Sequence, residues 1–175
     1  MKQRLLLLIL AILIPAGIYG YNYINLEGPL VKVLERNEAY QGIQIHSYYY
    51  NFIAPSKVIF DVMNVENAST SDVFSVLIDF AKVNKDKKYQ QVILAYKGNA
   101  KFILPGDYFQ KLATNSNPSD PSITIKSFIT HVQNLDGANP YLSQTTETNA
   151  SLQAQFDDFN NKWYASEVNT LKSDK

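Results

Sequence analysis

The chain offers two groups that could act together in acid–base chemistry, a carboxylate at Asp61 and an imidazole at His46. Asp61 lies near the carboxyl end of a predicted strand that leads into a crossover helix, where ligands collect in open α/β sheets. A carboxylate with a histidine near it can exchange protons with a substrate, so the pair is a candidate for hydrolysis. The alternative for Asp61 is a polar residue on the solvent face of a two-layer sheet, with His46 as a strand residue beside tyrosines.

Other motifs that carry chemistry are missing from the sequence. Neither His46 nor His131 lies in an H-x-H or H-E-x-x-H pattern, and His131 is predicted on the polar side of a helix. No serine lies in a G-x-S-x-G turn, and no glycine-rich phosphate loop is present. The absence of cysteine excludes thiol catalysis, thiolate metal sites, disulfides and a lipidated cysteine. The sequence therefore predicts no metal and no cofactor.

Three consecutive tyrosines, Tyr48 to Tyr50, are the most unusual feature of the sequence. Side chains alternate along a strand, so Tyr48 and Tyr50 share one face and Tyr49 takes the other. If the face of Tyr48 and Tyr50 is open, the two rings could stack on a sugar or pack against a partner protein. The alternative is aromatic packing between neighbouring strands. Tyr48 and Tyr50 are the predicted binding residues.

Lysine is concentrated in the middle of the chain, with Asp86 as the nearby acid. Such a cluster could contact anionic lipid or a wall polymer. The alternative is a solvated helix end and hairpin edge, where charge protects an edge strand from pairing. Two further acids, Asp72 and Asp79, are predicted to be capping or surface residues. The lysines are Lys82, Lys85, Lys87, Lys88, Lys97 and Lys101.

The first 25 residues have the composition of an export or anchoring segment. Lys2 and Arg4 precede an apolar run over residues 5–14, and small residues follow, which is the layout of an export signal. The apolar character continues to Ile24, so residues 5–24 can span a bilayer, with tyrosines at the far interface. An uncleaved anchor and a cleaved signal both fit this pattern. In either case the two basic residues keep the N-terminus inside, and the body is predicted to be extracytoplasmic.

Length and charge restrict the class of protein. The 175 residues fit one domain plus the N-terminal segment, so residues 26–175 are predicted to form a single extracytoplasmic domain. Lys2 and Arg4 are the only charged residues among the first 25, and without them the chain has 14 basic residues against 16 acidic ones. This balance argues against a nucleic-acid binder, which needs a basic excess.

Apolar periodicity of two predicts four strands. The third contains a continuous apolar run, which indicates a central strand covered on both faces. The strands are residues 41–52, 57–65, 89–97 and 100–104, with turns at Ala54-Pro55-Ser56 and Gly98-Asn99.

Helical periodicity predicts the remaining elements. Ser69 and Asp72 resemble a capping box at the start of a helix with a wide apolar stripe. Pro29 suits the first turn of a short helix, and Asp107 is predicted to cap a helix over residues 108–113. Residues 123–135 are predicted as an extended piece followed by a helix, and residues 149–171 as a helix with Leu152, Phe156, Phe159 and Trp163 along one side.

These elements predict an α+β fold after an N-terminal membrane or signal helix. A four-stranded mixed sheet, with strand order 1-2-3-4, carries helices mainly on one face. One β-α-β crossover joins two parallel strands and is expected to be right-handed.

Four short runs carry a resemblance to known sequences. They are Val92-Ile93-Leu94-Ala95-Tyr96-Lys97-Gly98, Lys101-Phe102, Gly106-Asp107-Tyr108-Phe109 and Trp163-Tyr164. Over residues 57–111 and the last helix, the chain resembles a small uncharacterised family of exported bacterial envelope proteins. The shared motifs are structural in character. The resemblance implies an envelope location and no activity, and it transfers no catalytic residue.

The leading hypothesis is an exported or membrane-tethered module without enzymatic activity that binds an envelope partner protein or polymer. Its location would be the periplasmic side of the inner membrane, or the periplasm itself if the signal is cleaved. The alternative is a small exported hydrolase that uses Asp61, with His46 as a second group. A third hypothesis is a structural subunit of an envelope assembly, which a large exposed apolar patch would favour.

Overall fold

The computed structural model describes residues 2–116, 120–142 and 148–168. A helical run precedes a four-stranded sheet, and further helices follow the strands. The helices are α1 (Lys2–Asn22), α2 (Gly28–Glu35), α3 (Thr70–Val83), α4 (Gly106–Asn115), α5 (Pro121–Ile129) and α6 (Asn149–Asn160). The strands are β1 (Ile43–Tyr50), β2 (Ala54–Val65), β3 (Gln91–Tyr96) and β4 (Asn99–Pro105).

The sheet has the predicted topology. Its order is β1-β2-β3-β4, with β1 and β2 antiparallel, β2 and β3 parallel, and β3 and β4 antiparallel. Helix α3 makes the connection between the two parallel strands. The apolar run in β3 is buried on both faces, as expected for a strand with a neighbour on each side. The predicted α+β fold is confirmed.

One face of the sheet carries the core. Alternation along β1 and β2 sends Ile45, Phe60 and Val62 to this face, where all three are buried. Helix α3 packs there, and it begins with the predicted capping box: Ser69 Oγ accepts the Asp72 N–H at 3.2 Å, and Asp72 Oδ2 accepts the Ser69 N–H at 2.8 Å. The buried stripe of α3 includes Val73, Phe74, Leu77, Phe80 and Ala81, as predicted.

The turn between β1 and β2 lies earlier than predicted. Strand β2 begins at Ala54, so Ala54-Pro55-Ser56 belongs to the strand and the chain reverses over residues 51–53. Asn51 and Phe52 have positive φ angles of 50° and 62°, and the Phe52 N–H donates to the Tyr49 carbonyl at 2.7 Å. Proline signals a turn more strongly than phenylalanine does, which is why the sequence pattern pointed three residues too late.

The β3–β4 turn is shifted by one residue from the predicted Gly98-Asn99. Lys97 and Gly98 form it, with φ angles of 48° and 79°, and Asn99 is the first residue of β4. Positive φ at both central positions matches the twist of the two flanking strands. The predicted hairpin is confirmed, with this change in its turn residues.

Helix α4 begins two residues before the predicted start. The chain enters it at Gly106, where an added Cβ would lie 1.8 Å from the carbonyl oxygen of Tyr89, so the close approach of the two backbones requires glycine. Asp107 makes no capping hydrogen bond and lies inside the first turn, where its charge still suits the helix dipole. The prediction that Asp107 caps this helix is wrong.

Residues 123–135 contain the predicted elements in reverse order. Helix α5 comes first, and the extended piece follows as a single bridge between Gln133 and Ile103 of β4. Asp120 caps the helix by accepting the Ser122 N–H at 3.1 Å, and Pro121 occupies its first turn. The residues that start the helix, Asp120 and Pro121, therefore lie before residue 123, where the alternation suggested a strand.

The last helix closes the core. Helix α6 continues through a π-helical turn (Asn161–Ala165), and the predicted end at Leu171 lies outside the described residues. The Trp163 Nε1–H donates to the Ala95 carbonyl at 3.0 Å, and its ring centroid lies 6.1 Å from that of Phe60. The predicted stripe of Leu152, Phe156, Phe159 and Trp163 is buried throughout.

The N-terminal helical run is continuous with the domain. Helix α1 passes into α2 through a π-helical turn (Tyr23–Glu27), so Pro29 lies within a long helix and has no N–H to donate to the Asn25 carbonyl four residues before it. Lys87, from the loop between α3 and β3, donates its Nζ to that oxygen at 2.5 Å. Leu26 and Leu30 of the run are completely buried against the domain.

Candidate functional site

The face of the sheet opposite the core carries the residues that the sequence singled out. Strand register aligns Tyr48, Ile59, Ile93 and Ile103 in one row that crosses all four strands. We call these four residues the open-face row. Ile93 is buried, while the other three are half-buried and reach the surface. The row forms an apolar strip across this face.

Asp61 lies beside the open-face row but is only 3% exposed. Its two carboxylate oxygens accept the Gly98 N–H at 3.1 and 3.0 Å, and Oδ2 also accepts the Tyr48 hydroxyl at 3.1 Å. A buried carboxylate is tolerated when such donors satisfy it. Asp61 therefore holds the β3–β4 turn and fixes one tyrosine ring.

His46 shares this face with Asp61. The register of β1 and β2 places the two residues directly opposite each other, which brings their Cβ atoms to within about 5.5 Å. His46 has another partner, since its Nδ1 lies 2.6 Å from Glu27 Oε1, while Glu27 Oε2 accepts the Ser47 N–H at 2.7 Å. Glu27 thus docks the helical run onto β1, and the sequence reasoning did not identify it.

Tyr48 and Tyr50 both lie on the open face, as predicted, but they differ in how much of each ring is packed against the protein. The Tyr48 ring stacks on Phe52 with 5.2 Å between centroids, and burial together with Asp61 raises the pKa of Tyr48 to about 12. Tyr50 is 42% exposed, and the Lys57 ammonium lies 5.8 Å from its ring centroid. Tyr50 is therefore free to contact a partner, whereas Tyr48 belongs to the local packing.

His131 belongs to a separate site beyond α5. Its ring stacks on Tyr108 with 4.1 Å between centroids, and its Nδ1 lies 2.7 Å from the Ser127 carbonyl oxygen. It lies in the turn after the helix, so its predicted place on the polar side of a helix is wrong. Within the described ranges, no group of three histidine, aspartate or glutamate residues could hold a metal ion.

The predicted lysine cluster is divided between different surroundings. Lys82 forms an ion pair with Asp79 of the same helix at 2.9 Å, and Lys101 forms one with Glu167 at 2.8 Å. Lys87 binds the helical run, and burial lowers its pKa. Lys85 and Lys88, on either side of it, are exposed. Only part of the cluster is therefore available to an anionic surface.

A groove of about 420 Å³ lies between α3 and α5. Asp79 lines it and accepts the Tyr40 hydroxyl and the Lys82 ammonium, both at 2.9 Å. Burial and the neighbouring Asp79 raise the pKa of Tyr40 to about 12, so this phenol keeps its proton at neutral pH. Tyr40, Asp79 and Lys82 thus form hydrogen bonds among themselves, which indicates a structural role for this cluster.

Helix α1 presents apolar side chains in all directions. The helical stretch Ile9–Glu35 has 27 residues and contains an 18-residue window with a mean hydropathy of 1.3, so by length and composition it could cross a membrane. An exposed apolar helix near the N-terminus fits a membrane span and an export signal alike. Its exposed side chains include Leu7 at 66%, Ile9 at 44%, Leu10 at 43%, Ile12 at 70%, Leu13 at 59% and Ile14 at 58%.

No protein-family model, no curated protein and no solved structure matches the chain. The candidate site therefore rests on its geometry. Three of its parts escaped the sequence reasoning: Glu27, the isoleucines of the open-face row, and Asn22, which is 5% exposed at the end of α1. The sequence held one signal for each of the two polar residues. Asn22 is a polar residue within a mostly apolar segment, and Glu27 is the first acidic residue after that segment.

Proposed function

We propose that the chain is a membrane-anchored extracytoplasmic module without enzymatic activity that binds an envelope protein through its open face. The observation that carries the anchor is the continuity of α1 with the folded domain. Asn22 donates to the Phe52 carbonyl at 2.8 Å and accepts the Tyr49 N–H at 2.7 Å. Processing near Gly20 would cut a continuous helix less than one turn before these contacts, which favours retention of the segment.

The open-face row supports binding of a protein. Its apolar side chains are flanked by polar contacts, His46 with Glu27 beside β1 and the Lys101–Glu167 ion pair beside β4. An apolar centre with a polar rim is the usual anatomy of a protein interface. A polysaccharide would need freely exposed ring faces, whereas most of this row is aliphatic. Tyr50 adds one exposed aromatic ring next to the row.

Site-specific photo-crosslinking in native membranes tests this binding. A crosslinker at Ile103 should capture one discrete protein, and one at Ile123, exposed on α5, should not. After identification by mass spectrometry, the purified partner should bind the full-length Ile103→Lys and Tyr50→Ala variants at least about tenfold more weakly, and Ile123→Ala normally. Equal affinity for all variants would refute the open-face proposal, and capture of a glycan would replace protein with polymer.

The lack of cysteine allows a clean test of the anchor. The native protein should stay in membranes washed with alkaline carbonate, and its mass should include residue 2. Asn99→Cys should react with a membrane-impermeant maleimide applied from the periplasmic side, and Gln3→Cys should react only after lysis. Release by carbonate or a shortened N-terminus would contradict the anchor, and the reverse labelling pattern would contradict the orientation.

The alternative hydrolase draws support from the register that places His46 opposite Asp61. Each group is already engaged elsewhere, which is why we favour the binding module. A hydrolytic activity on a simple activated ester that falls by about tenfold or more in Asp61→Asn and in His46→Gln would reverse this preference. Tyr48→Phe, which disturbs the same packing without removing either group, is the matched control.

A further inference from the structure

The tip of the β1–β2 hairpin exposes large apolar side chains next to α1. Tyr50, Phe52 and Ile53 are 42%, 55% and 67% exposed. Phe52 has a φ of 62°, in a region that favours glycine or asparagine. An asparagine followed by glycine would form this turn with less strain. The turn itself therefore does not call for phenylalanine; the ring stacks on Tyr48, and the residue remains 55% exposed.

The tip runs back along α1 toward the N-terminus. Asn22 contacts Tyr49 and Phe52, and beyond it a shallow groove of about 380 Å³ separates the helix from the tip. The groove is lined by Leu13, Ile14, Gly17 and Ile18 of α1 and by Phe52 and Ile53 of the hairpin. Ile14 lies eight residues before Asn22, or about 12 Å along a helix. If residues 5–24 cross the bilayer, the tip lies at the depth of the outer leaflet.

Both backbone groups of Phe52, and the neighbouring Tyr49 N–H, have hydrogen-bond partners within the protein. The Phe52 N–H donates to the Tyr49 carbonyl at 2.7 Å, and the Phe52 carbonyl accepts from Asn22 at 2.8 Å. Asn22 also accepts the Tyr49 N–H at 2.7 Å. Backbone polar groups in the hydrocarbon region need such partners. One buried asparagine in α1 supplies two of them.

Basic residues lie where the lipid headgroups would be. The loop between α3 and β3 touches the helical run at Asn25, just beyond the apolar span, through Lys87. Lys85 and Lys88 in the same loop are exposed, and Lys57 lies near Tyr50 at the start of β2. Cations at this level complement anionic phospholipids.

We infer that Phe52 and Ile53, at the tip of the β1–β2 hairpin, insert into the acyl region of the leaflet that α1 crosses, so that helix and hairpin hold the domain on the bilayer together. The inference rests on the anchor of the proposed function and adds a second, independent lipid contact. The partner is the phospholipid bilayer itself. A consequence is a fixed orientation, with the β3–β4 turn at the far end of the sheet, roughly 17 Å from its membrane-proximal end.

Tryptophan fluorescence in lipid nanodiscs tests the insertion. The native Trp163 is completely buried, so it gives a constant background. Full-length Ile53→Trp, placed in discs of phosphatidylcholine with a minority of phosphatidylglycerol, should show blue-shifted emission and strong quenching by acyl-chain bromine. Ile53 carries the probe because Phe52 stacks on Tyr48 and has positive φ.

Two further probes separate failure of the inference from failure of the anchor. Ile14→Trp reports on the anchor, and Asn99→Trp, at the far end of the sheet, should not be quenched. Quenching at residues 14 and 53 supports the inference. Quenching at 14 alone overturns it and leaves the anchor intact, and quenching at neither overturns both. Quenching at 99 as well would show that the domain lies flat on lipid and would also overturn the stated orientation.

Discussion

Asp61 joins two parts of the open face through one carboxylate. Its oxygens satisfy the Gly98 N–H and the Tyr48 hydroxyl in a site that is only 3% exposed. Replacing it by alanine would remove the acceptor that both donors share at this buried position. We therefore expect Asp61→Ala to lower the free energy of unfolding by about 2–3 kcal/mol. Urea unfolding of the detergent-solubilised chain at neutral pH measures this.

Asparagine at position 61 provides the control. Asp61→Asn keeps an acceptor of the same shape and should lose only about 1 kcal/mol, because the hydrogen bonds are no longer charge-assisted. Tyr48→Phe removes one of the two donors and should have a similar small effect. An alanine variant as stable as the asparagine variant would contradict a structural role for Asp61.

Lys87 performs a comparable role for the helical run. Its ammonium donates to the Asn25 carbonyl, to which Pro29 has no N–H to donate. Lys87→Met should destabilise the fold by about 1 kcal/mol, since the lost charge-assisted bond is partly offset by the relief of burying a cation. Thermal unfolding measures the difference. Lys88→Met, an exposed neighbour, should be neutral, and equal losses in both variants would show that the contact adds nothing specific.

For single residues, the sequence predicted which face of the sheet a side chain occupies better than which residue it bonds to. The alternation of β1 correctly placed Tyr48 and Tyr50 on one face and Tyr49 on the other. The hydrogen bond from Gly98 to Asp61 joins residues 37 positions apart, and it depends on the register of two strands. Local pattern carries no information on register of that kind.

Elements were predicted well where their signals were local. Helix α3 has its capping box and its apolar stripe within one segment, and both are present. Helix α4 starts at Gly106 because the backbone there passes over Tyr89, a contact between separate segments. The β1–β2 turn was misplaced because Phe52, which reaches toward α1, occupies a position that usually signals itself by glycine.

Gly106 allows a sharp test at the level of elements. An alanine Cβ would lie 1.8 Å from the Tyr89 carbonyl oxygen, so the start of α4 would have to move away from the segment that precedes β3. Gly106→Ala should lower the free energy of unfolding by about 3 kcal/mol or more, measured by urea unfolding. Gly98→Ala is the matched control: its φ of 79° is strained for alanine, but open space surrounds it. It should lose about 1 kcal/mol. The reverse order of the two losses would contradict the backbone contact.

The whole molecule combines an apolar helix and a folded domain in one unit. Composition was enough to predict an apolar span and a core, but the candidate site needed the register of four strands. Asn22 and Glu27 fix the helical run to β1, and Lys87 fixes it to the loop between α3 and β3, through hydrogen bonds between distant segments. Helix α1 and the open face consequently keep a defined mutual orientation, which a flexible linker would not provide.

Alkaline pH tests the packing of the whole domain, because its tyrosines are distributed through the core. Burial raises the pKa of Tyr108 to about 12, and burial with a neighbouring aspartate does the same for Tyr40 and Tyr48. Burial also raises the pKa values of Tyr89, Tyr141 and Tyr164.

The direction in which stability changes with pH follows from the number of protons that the folded and unfolded chains bind. Above about pH 10 the unfolded chain loses phenolic protons that the folded chain keeps until about pH 12. Stability should therefore be constant up to about pH 10 and should then fall, with each buried tyrosine adding at most about 1.4 kcal/mol per pH unit to the slope. Urea unfolding over this range, with phenolate absorbance as a second signal, measures it. Tyr108→Phe should reduce the slope, because it removes one of the buried phenols. A steady stability up to pH 12 would mean that the buried rings are accessible to hydroxide without unfolding.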